Sequence, residues 1–163
     1  MVSVTHNVAM RKNATQSSVH AGGPSFAVDG ILDFPHSASC TATTNQTVSW
    51  WQVDLAEVFL VYYVRLASCV DCLGDTLKSF QTYVSRQPYS PTNIPVDQQC
   101  ANITKSDGFG KGLLILINCG GFLEGQFVFL VTQAPYSLEF CEVQVFAHEI
   151  EGRSTEELSE MDT

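Results

Sequence analysis

Residues 58–67, Val-Phe-Leu-Val-Tyr-Tyr-Val-Arg-Leu-Ala, constrain the fold more than any other segment. The run is almost continuously apolar, is dominated by β-branched and aromatic side chains, and lacks helical spacing. It reads as a strand covered on both sides. Five other segments carry strand signals between Gly, Pro, Asn and Asp boundaries: residues 50–56, 79–85, 112–118, 126–132 and 138–147. Residues 79–85 set Phe80, Thr82 and Val84 against Gln81, Tyr83 and Ser85. The second half of 138–147 sets Val143, Val145 and Ala147 against Glu142, Gln144 and Phe146. Six or more strands with turn signals and no intervening helical pattern predict an all-β sandwich. Residues 87–99, with Pro88, Pro91 and Pro95, read as a Pro-rich loop.

A chain of 163 residues fits one domain. Residues 1–148 read as that domain, and residues 149–163 as an acidic tail or linker expected to be disordered. The tail holds Glu149, Glu151, Glu156, Glu157, Glu160 and Asp162 against Arg153, so it carries about half of the formal net charge of −9. The body is mildly acidic and has no basic patch, which excludes nucleic acid as the expected partner. No run of 18 apolar residues occurs, so no membrane span is expected. The stretch 1–6 lacks the apolar core of a signal peptide, so the chain reads as a mature or excised domain. Six cysteines, few lysines and the sequons at Asn13, Asn45 and Asn102 point to an oxidising, extracellular setting with those asparagines as glycosylation candidates.

Enzymatic signals are missing. The sequence has no nucleophile elbow, no His-Glu-x-x-His zinc helix and no phosphate-binding Gly-rich loop, and its four histidines are scattered. Cys69-Val70-Asp71-Cys72 has the spacing of a redox motif, but the βαβ context is absent. As half of a zinc site it would need two more closely spaced ligands. A short structural disulfide closing a turn is the preferred reading, provided the backbone brings the Cα atoms close enough. Asp29 precedes Gly30 in a turn, and Glu142 follows Cys141. From the residues alone, a solvated Asp and an exposed strand Glu are the plainer reading of the pair.

Several motifs together carry a resemblance. They are Asn7-Val8-Ala9, Ala14-Thr15-Gln16-Ser17-Ser18, Ala27-Val28-Asp29-Gly30, Ser39-Cys40-Thr41, Trp50-Trp51-Gln52-Val53-Asp54-Leu55, Asp71-Cys72 and Cys141-Glu142-Val143. In order and spacing the chain resembles the F-type lectin (fucolectin) domain, over residues 7–147. The resemblance implies a jelly-roll β-sandwich related to discoidin and coagulation factor 5/8 C domains, and an extracellular glycan or glycoprotein ligand. It leaves the oligomeric state open. It implies disulfides Cys40–Cys141 and Cys100–Cys119, with Cys69–Cys72 replacing the family's adjacent pair. It also implies a structural Ca²⁺ held by groups matching the carbonyls of Phe26, Ile31 and Cys141 and the side chains of Asp29, Ser39 and Glu142.

The departures fall on the sugar site. The family His after Ser-Cys-Thr is Ala42 here. The two Arg that bracket the family's Asp-Cys-Cys are Cys69, ahead of Asp71, and Thr76, behind Cys72. Ala, Cys and Thr cannot supply the forked, charged donors that a fucose hydroxyl array requires. His36, four residues before Cys40, is a further rim candidate. The expectation is a carbohydrate-recognition module with a degenerate or altered fucose site. The alternative is a protein-interaction or adhesion module on the same scaffold.

Overall fold

The computed structural model describes residues 5–32, 40–69, 77–104 and 114–150. The strands among them are β1 (His6–Asn7), β2 (Asn13–Gln16), β3 (Thr41–Ala42), β4 (Val48–Ala67), β5 (Ser79–Ser85), β6 (Gln99–Thr104), β7 (Leu114–Gln133), β8 (Glu139–Phe140) and β9 (Glu142–Glu149). Short 3-10 turns at Pro24–Val28 and Val96–Gln98 precede β3 and β6.

Two strands of 20 residues, β4 and β7, organise everything else. They pair antiparallel along most of their length, with register slips between Asp54 and Phe59 and between Val61 and Tyr63. Before the first slip, β4 lies between β2 and the far end of β7, which continues to β5 and β6. After it, β4 lies between β9 and the near end of β7, with β1 beyond β9. The antiparallel sheets on either side of the first slip share β4 and β7 and so form one seven-stranded hydrogen-bonded network, from which the two-stranded β3–β8 ladder is separate. Ala56 stands in the first slip at φ 72°, and its amide donates to Asp54 Oδ1 at 2.8 Å. That local bond supports a backbone conformation that L-residues otherwise avoid, at the kind of irregularity that bends a strand.

Alternation along both sheets fills one core. Trp51, Val53 and Leu55 join Val64, Leu66, Val84, Val128 and Leu130 in a single buried cluster. Val143, Val145 and Ala147 complete it, as their spacing predicts. Trp51 meets Phe140 edge-on at 5.4 Å, and its indole N–H donates to the Pro24 carbonyl at 3.2 Å.

The expected strands at 50–56 and 58–67 prove to be one strand, as do those at 112–118 and 126–132. Coverage of 58–67 on both sides is only partial. Phe59, Val61, Val64 and Leu66 are buried, whereas Tyr62, Tyr63 and Arg65 are half-buried on the opposite face. Neighbouring side chains supply their cover: Tyr63 stacks on Phe146 at 4.6 Å, and Arg65 lies over the same ring while donating to Gln144 Oε1 at 2.7 Å. On the other sheet, the Pro-rich loop packs Tyr89 and Ile94 against Trp50 and Phe129.

Cys40–Cys141 and Cys100–Cys119 are disulfides, and Cys69 is disulfide-bonded as well. Its expected partner, Cys72, lies outside the described residues. The first bridge spans 101 residues and the second 19. By loop-closure entropy they stabilise the fold by roughly 3–5 kcal/mol each.

Trp51 tests the shared core. Trp51→Ala should cost about 3–5 kcal/mol in denaturant unfolding, and Trp51→Phe clearly less. Equal, small losses for both would contradict the packing described.

Candidate functional site

The Ala-Thr-Gln-Ser-Ser motif acts as a clasp. Gln16, at the end of edge strand β2, donates through Nε2 to the carbonyls of Ser18 at 2.7 Å and Ala42 at 3.1 Å. Its Oε1 accepts the Thr41 hydroxyl. Ser17 Oγ accepts the Trp50 amide at 3.0 Å, and Ser18 Oγ accepts the Thr44 amide at 2.9 Å. These polar side chains anchor the loop that carries β3, so their conspicuous pattern is architectural.

Gly22 has φ +67°, and a Cβ there would lie 2.1 Å from the Cys40 carbonyl. Only glycine permits the chain to cross so close to the Cys40–Cys141 bridge. The following turn, Pro24–Val28, buries Ala27 and Val28 and ends at Asp29. Asp29 Oδ1 accepts the Ile31 amide at 2.9 Å, which holds the turn closed.

Glu142 meets this turn from below. It opens β9, next to the disulfide, and is fully buried. The plainer expectation of an exposed strand Glu is therefore wrong: the alternation that brings Val143 to the core is interrupted at Cys141, and both residues are covered. Glu142 Oε2 accepts the Gly30 amide at 3.0 Å, while Oε1 is buried with no hydrogen-bond partner. Burial raises its pKa to about 9, and the neighbouring Asp29 carboxyl adds to the rise. The amides of Gly30 and Ile31 oppose it without offsetting it. A buried carboxylate with an orphaned oxygen beside a second carboxyl is a donor set that suits a hard cation. Phe26, Asp29 and Ile31 share the turn, and Cys141 and Glu142 lie at the start of β9. Ser39 lies outside the described residues.

Of the expected rim residues, Ala42 and Cys69 are described, and both are buried. Ala42 is 5% exposed; its amide donates to the Ala21 carbonyl at 3.0 Å and its own carbonyl accepts the His20 amide at 2.9 Å. The loop after Ser18 thus lies across Ala42. His36, Asp71, Cys72 and Thr76 lie outside the described residues. Beyond β3, an open depression of about 460 Å³ is lined by Asn45, Gln46, Thr47, Ala134 and Pro135, none of them charged.

Residues 26–126 match the family described as NedA-like, galactose-binding domain, of the F5/F8 type C group. Fucolectin-5 of Anguilla japonica is 30% identical over 148 residues, covering 86% of this chain and 76% of that protein. The fucolectin of Anguilla anguilla is 30% identical over 147 residues, 85% and 89% of the two chains. The chain belongs to the F-type lectin (fucolectin) family. A fucolectin from striped bass (Morone saxatilis) serum superposes with a TM-score of 0.77 at 26% identity, over 89% of this chain and 50% of that one. The lectin domain of lectinolysin complexed with Lewis B antigen gives 0.66 at 26% identity, over 86% and 96%. An F-type lectin domain is a binding module and not an enzyme.

Sequence reading found the acidic pair but missed the burial of Glu142 and the clasp built by Gln16, Ser17 and Ser18. The Ala-Thr-Gln-Ser-Ser pattern was visible; the polar contacts it makes 26 to 33 residues away were not.

The raised pKa of Glu142 fixes a sign. A carboxyl titrating higher in the folded than in the unfolded chain makes the fold more stable when protonated. Stability is then lost as pH climbs from the ordinary carboxylate range through about 9. In chelator, the melting temperature should fall across that window, and Glu142→Gln should flatten the fall. A profile unchanged by Glu142→Gln would contradict the assignment.

Proposed function

We propose that the domain is an extracellular carbohydrate-recognition module with a structural calcium ion and an altered fucose site. The observation that carries the altered site is the burial of Ala42, bridged to Ala21 by its backbone, at the position that answers to the family's sugar-binding His. No imidazole is available there, and Cys69, at one Arg position, is committed to a disulfide. The exposed His20 donates its amide to the Ala42 carbonyl. A glycan or glycoprotein other than simple terminal fucose fits such a rim better.

Calcium would be held by the carboxylates of Asp29 and Glu142, joined by Ser39 and by the carbonyls of Phe26, Ile31 and Cys141. The ion supplies charge to a buried carboxyl that otherwise favours its protonated form, and it fastens the turn to the last strand. An extracellular setting is supported by the disulfide bonding of all five described cysteines. It is supported too by the exposure of Asn13, Asn45 and Asn102, the sequon asparagines. Among the described residues no helix is long and apolar enough to cross a membrane, which leaves β-barrels unaddressed. A second reading, protein adhesion, is favoured by the exposed Leu114, Leu116 and Phe122 along β7.

Two measurements test this. Each lost charge-assisted hydrogen bond removes roughly 1.5–3 kcal/mol, and each 1.4 kcal/mol is about tenfold in affinity. Titration calorimetry should therefore find L-fucose binding at about 10 mM or weaker; sub-millimolar binding would overturn the altered site. A glycan array silent for every structure would favour the adhesion reading. Separately, a chelator should lower the melting temperature near neutral pH, since a ligand of the folded state stabilises by mass action. No shift, with Asp29→Ala behaving as the parent, would remove the calcium site.

A further inference from the structure

Arg65 stands on the middle strand of three, on the face turned away from the core. Its register partners are Leu116 on β7 and Gln144 on β9; two residues earlier, Tyr63 lies opposite Asn118 and Phe146. Strand alternation puts these side chains on one surface. The guanidinium is held in place by the fold itself. Its Nε donates to Gln144 Oε1 at 2.7 Å, and its Cζ lies 5.2 Å from the centre of the Phe146 ring, which stacks on Tyr63. That bond engages Nε and leaves the fork formed by the two Nη groups without an acceptor among the described residues. Leu116, Asn118, Gln144 and Phe146 carry no charge. Among the described residues the arginine ion pair is Arg86–Glu124, and no carboxylate meets Arg65. The surface is open: Leu116 is 61% exposed, and Leu114, the next residue of β7 on this face, is 54% exposed.

We propose that this surface binds a carboxylate-bearing sugar, with Arg65 as its anchor. The Nη fork takes the two carboxylate oxygens side by side, an arrangement that suits a planar, pre-oriented guanidinium. Leu116 covers an apolar part of the ligand, such as the methyl of an N-acetyl group. The Asn118 amide and the Tyr63 hydroxyl stand beside it for ring hydroxyls. The site rests on the carbohydrate-recognition reading, uses none of the rim residues around Ala42, and narrows the ligand class. Neutral fucose lacks the carboxylate that the fork requires.

Calorimetry on the full chain tests the site. The probes are the methyl α-glycoside of N-acetylneuraminic acid, its methyl ester and sodium acetate, all at low ionic strength. The free acid should bind saturably, and the ester and acetate about tenfold more weakly or worse. Arg65→Gln should weaken the acid by about tenfold or more, and Arg65→Lys, which keeps the charge without the fork, should recover only part. Should Arg65→Gln fail to fold, Leu116→Glu supplies the second arm. It places a carboxylate at an exposed position in register with Arg65, where it should occupy the fork and remove binding to the same degree. No saturable binding of the acid, or binding unchanged in Arg65→Gln or Leu116→Glu, would overturn the site. Acetate binding as tightly as the acid would overturn its assignment to a sugar. A glycan array positive for neutral glycans while the acid fails to bind would remove this site and leave the carbohydrate-recognition reading standing.

Discussion

Cys141 fastens the chain at the point where the two ends of the fold meet. Its sulfur is bonded to Cys40, 101 residues earlier, and its amide donates to the Ala67 carbonyl at 2.8 Å. One residue is thereby tied to the loop before β3 and to the end of β4. Closing so long a loop removes much of the unfolded chain's freedom, and by that arithmetic stabilises the fold by roughly 4–5 kcal/mol. The crowding at this bridge accounts for Gly22, and β9 begins at the next residue with a carboxylate that has nowhere to go but inward.

That carboxylate is the costly element. Burying a charge without a partner is strongly unfavourable, and one backbone amide does not offset it. Without a cation the side chain escapes the penalty by keeping its proton, which is the meaning of a pKa near 9. With a cation the same burial becomes useful, because Asp29 in the turn and Glu142 on β9 have a common ligand to share. The proposed calcium ion and the observed disulfide would then act on adjacent residues, one joining β9 to the Asp29 turn and the other joining it to the loop before β3.

Much of the fold was legible because the core follows simple periods. Trp51, Val53 and Leu55, and likewise Val143, Val145 and Ala147, occupy alternate positions and are buried as alternation requires. The joins were not legible. Gly120 and Gly121, both at positive φ, look like a strand terminator, yet β7 runs through them. Ala56 carries no mark of the slip it occupies. Strands β1, β2 and β6 are short or polar and owe their conformation to their neighbours in the sheets, which no local pattern encodes. Asp29 and Glu142 were readable as a pair only through the family resemblance. A lone Glu after a Cys does not announce that it is fully buried.

Gln16, Ser17, Ser18 and Thr41 hold the loops by hydrogen bonds that use no side-chain atom of residue 42, so the altered fucose site proposed above is compatible with an intact clasp. The claim on which the account rests most heavily is that Glu142 is buried for a cation. Calcium titrated calorimetrically into chelator-stripped protein at pH 7.5, in two buffers of different ionisation enthalpy, tests it directly. Saturable binding of a single ion accompanied by proton release is expected, with the proton release abolished in Glu142→Gln. Absence of saturable binding, or binding with no proton released, would contradict it.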